Sequence, residues 1–218
     1  MTSSSFSDAY LGISKSLNGR RWRLKECDDR AALALAQRLE VPEIVGRILS
    51  IRGVGLDEAQ QFLDPTLRDL LPDPSSFLDM DVACSRVAGA IKNGEKVAVF
   101  GDYDVDGATS SALLIRLFRA LGTDLTLYIP DRIKEGYGPN TPALLKLKEA
   151  GVSVVITVDC GTSSFEPLEA AKKAGLDVIV LDHHKAEVRL PDAFAVVNPN
   201  RLDETGTYGQ LAAVGLVF

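Results

Sequence analysis

The chain has 218 residues, with 24 Lys and Arg against 30 Asp and Glu, a formal net charge of −6 and 46% apolar residues. That length supports one large or two small domains around a sizeable core, and the composition excludes wholesale disorder. It also excludes nucleic-acid binding by bulk charge, because contact with a polyanion then needs a local basic patch or bound cations.

Residues 1–10 are rich in Ser and carry Asp8, with no basic stretch leading into an apolar run, so no secretory signal peptide is expected. Arg20, Arg21 and Arg23 leave a transit peptide as a minor alternative. No apolar run approaches the roughly 18 residues needed to span a bilayer. Cys27, Cys84 and Cys160 are odd in number, far apart and in no CxxC spacing, which reads as reduced thiols in a cytoplasmic protein.

In chain order, residues 1 to about 20 read as a loose tail, followed by an extended anchor at Trp22 and Leu24. Asp28 or Asp29 caps an Ala/Leu-rich helix over Ala31–Leu39. Pro42 suits the first turn of a second helix, with Ile44, Val45, Ile48 and Leu49 as its apolar face. Arg52-Gly-Val-Gly-Leu56 is a turn, and Asp57 caps a short helix ending at Leu63. This helix, Gly-x-Gly, helix pattern is either a backbone-binding hairpin or an ordinary turn between packed helices. Asp64–Pro74 is a connector, and a helix over Asp79–Lys92 carries a stripe of Met80, Val82, Ala83, Val87 and Ile91. A helical region over 1–75 and a second unit over 76–218 are therefore expected.

From Lys96 the pattern alternates. Strands are expected at Val97–Phe100, Leu125–Ile129, Val152–Val158, Val178–Leu181 and Phe194–Val197. Helices are expected at Ala108–Leu121, Pro142–Ala150 and Ser163–Ala174. Short β-branched runs alternating with helices of about a dozen residues indicate an α/β fold, a parallel sheet with helices on both faces.

Three of these strands end in acidic residues: Asp102, Asp104 and Asp106 after the first, Asp159 after the third, and Asp182-His183-His184 after the fourth. A lone Asp at a strand end is usually a helix cap or turn residue. Three such clusters at equivalent positions, however, all fall on one edge of a parallel sheet. Clustered carboxylates repel unless a cation neutralises them, and imidazole beside carboxylate suits divalent metals from magnesium to manganese, iron and zinc. A metal-dependent site is the expectation.

Gly101-Asp-Tyr-Asp-Val-Asp-Gly107, the Ala-Thr-Ser-Ser-Ala after it and the downstream Asp182-His183-His184 together resemble the DHH phosphoesterase superfamily. Within it, the sequence is similar to the bacterial single-strand-specific 5′-to-3′ DNA exonucleases of repair and recombination. The likeness extends through Phe62-Leu-Asp-Pro65, Ile129-Pro-Asp-Arg-Ile-Lys-Glu-Gly-Tyr-Gly138, Val158-Asp-Cys-Gly161, Val197-Asn-Pro199 and Leu211–Phe218. The resemblance implies a Rossmann-like core that hydrolyses phosphodiesters with two divalent ions, Mn2+ or Mg2+. It assigns Asp104 to one ion, Asp106 to the other, Asp159 between them and His183 to the second. His184 would lie near the scissile phosphate, Asp182 would hold a histidine tautomer, and Asp102 would be a further ligand or a water-orienting base. Arg132 and Lys134 would meet substrate phosphates, and Tyr137 would stack on a base or pack. Single-stranded DNA is the implied substrate, with a single-strand-binding protein or helicase as protein partner.

Other members of the superfamily imply two alternatives: cleavage of short oligonucleotides or cyclic dinucleotides, or a non-catalytic role in binding nucleic acid or a replication partner. Relatives of the second kind commonly lose part of the ligand set, whereas Asp104, Asp106, Asp159, His183 and His184 are all present here. Two departures accompany the likeness. Many relatives carry His where this chain has Phe100. The family's last ligating Asp and its second, substrate-gripping domain lie beyond Leu211–Phe218, so the expectation is a fragment with weak metal binding and little exonuclease activity.

Overall fold

An apolar run, β1 (Lys96–Gly101), and a β-branched one, β3 (Val152–Val158), pair side by side in a five-stranded, all-parallel sheet. This is a computed structural model, and it describes residues 9–206 and 208–218. The contacts divide the chain into two units, 1–70 and 71–218. No helix among the described residues is long and apolar enough to cross a membrane.

In the first unit, α1 (Asp29–Leu39) is capped by Asp28, whose Oδ1 accepts from the N–H groups of Arg30 and Ala31 at 2.9 and 3.2 Å. It packs on α2 (Glu43–Ile51), and the buried centre is Leu35, Leu49 and Ala59. The expected apolar face of α2 is corrected: Ile44 and Ile48 are exposed. The helix instead turns Gly46 toward α1, where a Cβ would stand 2.2 Å from the Ala32 carbonyl oxygen. α3 (Ala59–Leu63) begins after Glu58, not at an Asp57 cap, and α4 (Leu67–Leu70) falls inside the expected connector. The Gly-x-Gly segment forms a turn whose Val54 packs against the α1–α2 centre. Of the expected loose tail, residues 1–8 lie outside the described residues. Residues 10–22 instead close a loop, in which the Tyr10 N–H donates to the Trp22 carbonyl and the Trp22 N–H to that of Ile13.

In the second unit, α5 (Met80–Lys92) precedes β1 and is tied to the sheet by Arg86. That guanidinium bridges Glu95 and Asp177, each at 2.7 Å. Val82 lies off the α5 stripe and is exposed. Then follow α6 (Val105–Ala120), β2 (Leu125–Tyr128), α7 (Thr141–Glu149), β3, α8 (Phe165–Lys173), β4 (Asp177–Leu181), β5 (Ala195–Val197) and α9 (Ala213–Val217).

The spatial order is β2-β1-β3-β4-β5. The chain steps outward from β1 to β2, then returns across β1 to β3. Right-handed crossovers travelling in opposite directions place α6 and α7 on opposite faces. The period-two pattern of the strands serves both. Val97, Val99, Val154, Ile156 and Ile179 pack with Leu114 and Phe118 of α6. Ala98, Phe100, Val155, Val178 and Val180 pack with Leu144 and Leu147 of α7 and Leu168 of α8. Burying each large side chain of this kind is worth roughly 1.5–3 kcal/mol. Helices on both faces of a parallel sheet, as the sequence led us to expect, leave one consequence for function: the order reverses between β1 and β3, and a crevice opens beyond their carboxyl ends.

Candidate metal centre

The loop leaving β1 must turn sharply into α6, and two features allow it. Asp104 caps the helix, its Oδ1 accepting from the N–H groups of Asp106 and Gly107 at 2.9 and 3.0 Å. Gly107 admits the returning chain, since a Cβ there would lie 2.4 Å from the Asp102 carbonyl oxygen and 2.6 Å from its nitrogen. The outcome is a tight acidic loop with Asp102 buried beneath it.

Across the crevice, Asp159 follows β3 and is only 2% exposed. Its φ of +60° is left-handed, an uncommon conformation for a residue with a Cβ. Such strain persists only where the surroundings fix it, and it turns up most often at functional sites. Single ligand atoms from Asp102, Asp104 and Asp159 lie within 4.8 Å of one another, as do those of Asp159, His183 and His184. The three strand-end clusters therefore converge on one pocket, with Asp159 common to both groups.

His183 is aimed by its backbone neighbour. Its Nδ1 lies 2.9 Å from the Leu211 carbonyl, which can only accept, so Nδ1 carries the proton. Nε2 then presents a bare lone pair, 3.2 Å from Asp159 Oδ1 and 3.7 Å from Asp106 Oδ2. The buried oxygens Asp102 Oδ1 and Asp159 Oδ1 have no hydrogen-bond partner among the described residues. Electron pairs facing one another in a buried pocket are costly unless a proton or a metal cation stands among them.

The electrostatics of the pocket follow the same lines. Burial, then the neighbouring Asp104 and Asp106, push the Asp159 carboxyl up to about 7. Burial also raises Asp102. The Gly107 N–H holds Asp104 below the ordinary carboxylate value.

Asp182 organises the neighbouring imidazole. Its Oδ1 accepts from His184 Nδ1 at 2.7 Å and from the backbone N–H groups of His183 and His184. Its Oδ2 accepts from the Thr162 N–H at 3.0 Å. Burial works against charge on His184, but the hydrogen bond and charge of Asp182 win, and the imidazole stays protonated to higher pH than usual. Burial likewise opposes charge on Asp182, yet the bonds from His184 and Thr162 keep its carboxyl below the ordinary value.

The remaining candidates are placed unevenly. The Tyr137 hydroxyl donates to the Asp159 carbonyl at 2.9 Å and lies 3.4 Å from His184 Nδ1. The Arg132 guanidinium stacks over the Tyr103 ring, 4.9 Å from its centroid, above the acidic loop. Among the described residues Lys134 pairs only with Asp131, at 3.7 Å, and its side chain is 81% exposed. Asp106 has a second task, since its two oxygens accept the N–H groups of Ala213 and Val214 at 2.9 Å, capping α9.

Sequence reasoning missed the frame around the histidines. Buried Asn198 donates to Thr162 Oγ1 and to the His184 carbonyl, both at 2.9 Å. Asn200 donates to the carbonyls of His183 and Gly209. The one available signal was Asn-Pro-Asn directly after an apolar strand.

This is a doubly wound α/β protein with an acidic and imidazole pocket for cations at its switch point. The chain belongs to the DHH family: the model of the DHH family N-terminal domain matches residues 96–218. The single-stranded-DNA-specific exonuclease RecJ of Bacillus subtilis strain 168 is 37% identical over 198 residues, which cover 91% of this chain and 25% of that protein. A crystal structure of exonuclease RecJ bound to manganese matches with a TM-score of 0.56 at 32% identity, over 62% of this chain and 34% of that one. The Mn2+ complex of RecJ from Thermus thermophilus matches with a TM-score of 0.66 at 27% identity, over 89% of this chain and 27% of that one. The chain thus spans a quarter to a third of the length of these relatives.

Proposed function

We propose that this chain holds the metal centre of a single-strand-specific DNA exonuclease that hydrolyses phosphodiesters from the 5′ end. The observation carrying the proposal is the unpartnered buried Asp159 oxygen facing the bare Nε2 of His183, with Asp159 shared between that group and the carboxylates of Asp102 and Asp104. This donor set of hard carboxylates and one imidazole fits Mn2+ or Mg2+. Likeness to relatives crystallised with manganese supports the same choice.

Asp104, Asp106, Asp159 and His183 would hold the two ions, with Asp102 as a further ligand or an acceptor that orients water. When bound, such a pair of ions lowers the pKa of water and neutralises both the attacking and the leaving oxygens. The chain's own groups do the rest. His184, whose protonated form Asp182 favours, would in that form attract the anionic phosphate and can supply a proton from Nε2. Tyr137 fixes the Asp159 backbone and, with it, the aim of that carboxylate. Arg132 offers a planar cation to a second phosphate, and Lys134 a more distant one.

A cytoplasmic setting suits the three free cysteines. A single-strand-binding protein or helicase would suit the substrate as partner, and the N-terminal region expected over 1–75, largely helical from Asp29 on, would be a region distinct from the catalytic core.

The test joins Mn2+ titration, followed by electron paramagnetic resonance, to digestion of end-labelled single strands. Saturable Mn2+ binding that Asp159→Ala and His183→Ala each remove, with any hydrolysis releasing the 5′ label first, supports the reading. Absence of saturable binding, or release of the 3′ label first, overturns it.

A further inference from the structure

Charge is distributed unevenly in this acidic chain. Between Ala9 and Lys25 lie Lys15, Arg20, Arg21, Arg23 and Lys25, five of the 24 basic residues and none of the 30 acidic ones. All five are exposed, and none is ion-paired to a described residue. Trp22, the only tryptophan in the sequence, stands among them with half its surface open, and Tyr10 is similarly exposed.

The segment has a defined shape. Ser16 N–H donates to the Arg20 carbonyl at 2.8 Å, and Gly19 N–H to the Ser16 carbonyl at 2.8 Å. Together with the Tyr10–Trp22 and Trp22–Ile13 bonds, these fold the chain back on itself. An open groove of about 510 Å³ is lined by Ile13, Leu17, Arg20, Arg21 and Trp22. A large ring half open to water beside guanidinium groups without ion-pair partners has a face available for stacking. Stacking platforms flanked by cations are how proteins grip single strands without reading sequence.

We propose that the loop Tyr10–Lys25 is a docking surface for a single-stranded polynucleotide, with Trp22 stacking on a base and Arg20, Arg21 and Arg23 meeting the phosphates. The proposal rests on the single-strand reading above, but it assigns the contact to residues apart from the metal ligands. It needs no metal. It also helps explain how an acidic chain acquires a polyanion: a short segment of unmixed positive charge supplies local attraction in addition to that at the metal centre.

The experiment uses the full chain in EDTA with an oligo(dT) probe. Because Trp22 is the only tryptophan, its intrinsic fluorescence reports directly on the contact. Oligo(dT) is expected to quench it saturably, and the association constant to fall with salt at a log–log slope of about −3, as several cations on a single strand give. Anisotropy of a labelled oligo(dT) should show Trp22→Ala weakening binding on the order of tenfold and Trp22→Phe much less. Trp22 meets the loop through its backbone, so far-ultraviolet circular dichroism and Mn2+ binding should be unchanged in both variants. No quenching by oligo(dT), or equal affinity of wild type and Trp22→Ala, overturns the proposal while leaving the metal-centre reading intact. So does a blue shift with phosphatidylserine vesicles in place of a response to oligo(dT), which would make the loop a membrane contact. Loss of Mn2+ binding by Asp159→Ala with oligo(dT) quenching retained supports the separation of the two sites.

Discussion

The Leu211 carbonyl fixes the proton of His183 on Nδ1, 2.9 Å away, and so leaves the opposite nitrogen bare toward Asp159. A histidine is useful to a divalent ion only in one tautomer and one orientation, and here a backbone atom 28 residues downstream sets both. The expected outcome for His183→Ala is a loss of Mn2+ affinity of at least about tenfold with the fold retained, read by isothermal titration. His183→Gln keeps a donor near Leu211 but offers a weaker ligand, and should fall between wild type and His183→Ala.

Asp159 gives the apo chain a distinctive pH dependence. With its carboxyl raised to about 7, the folded chain keeps a proton that the unfolded chain releases near the ordinary carboxylate value of 3.8. Stability therefore falls as pH rises from about 4 to about 7 and levels off above, an upper bound of about 4 kcal/mol. Mn2+ reverses the sign of the problem by supplying the missing positive charge. Denaturation at a series of pH values should show this decline without metal, its abolition by Asp159→Asn, and Mn2+ stabilisation that is strong at pH 8 and weak at pH 5.

Gly107→Ala tests the close approach that forms the acidic loop. The added Cβ would meet backbone atoms of Asp102 at 2.4–2.7 Å, and backbone cannot swing aside as a side-chain tip can. A destabilisation of about 1–3 kcal/mol is expected from overpacking, with weaker Mn2+ binding because Asp102 and Asp104 flank the displaced turn. Thermal unfolding and Mn2+ titration on the same sample measure both effects.

The sheet and the convergence at its edge were legible because both rest on short-range signals. Val152–Val158 alternates between two buried faces, and a residue after a strand can only sit at that strand's end. Facing errors arose where a partner decides. Ile44 and Ile48 read as core by spacing, but α1 meets α2 at Gly46, a residue without a side chain to count. The frame of Thr162, Asn198 and Asn200 was illegible for a similar reason. Each is an ordinary polar residue, and only the fold shows that Asn198 and Asn200 hold the backbone of the histidine loop while Thr162 anchors Asn198 and Asp182.

Asn198→Ala addresses that frame. The substitution strips a donor from Thr162 Oγ1, which is buried, and from the His184 carbonyl, which is partly buried. Leaving such groups unsatisfied costs about 1–3 kcal/mol. The His184 ring should lose its fixed position relative to Asp182, so its imidazole pKa, followed by NMR, should move toward that of a free histidine. Asn198→Asp keeps the shape but loses the donor at Nδ2, and should not rescue.

Asp106 serves two masters, and one substitution separates them. Its carboxylate accepts the Ala213 and Val214 N–H groups, an N-cap supplied from 107 residues away, while Oδ2 stays 3.7 Å from His183 Nε2. Each oxygen has two lone pairs, so capping does not exhaust it as a ligand. Asp106→Asn retains one acceptor oxygen and replaces the other with a donor, which faces a backbone N–H. The start of α9 should loosen, with a loss of about 1 kcal/mol typical of a missing cap. Mn2+ affinity should fall as well, because the amide is a poorer ligand and carries no charge. Asp106→Glu keeps the charge but misplaces it, so it should recover part of the Mn2+ affinity and none of the cap. Hydrogen exchange at the Ala213 and Val214 amides reads the cap, and titration reads the ion. If exchange is unchanged in Asp106→Asn, the α9 cap is not held by this carboxylate.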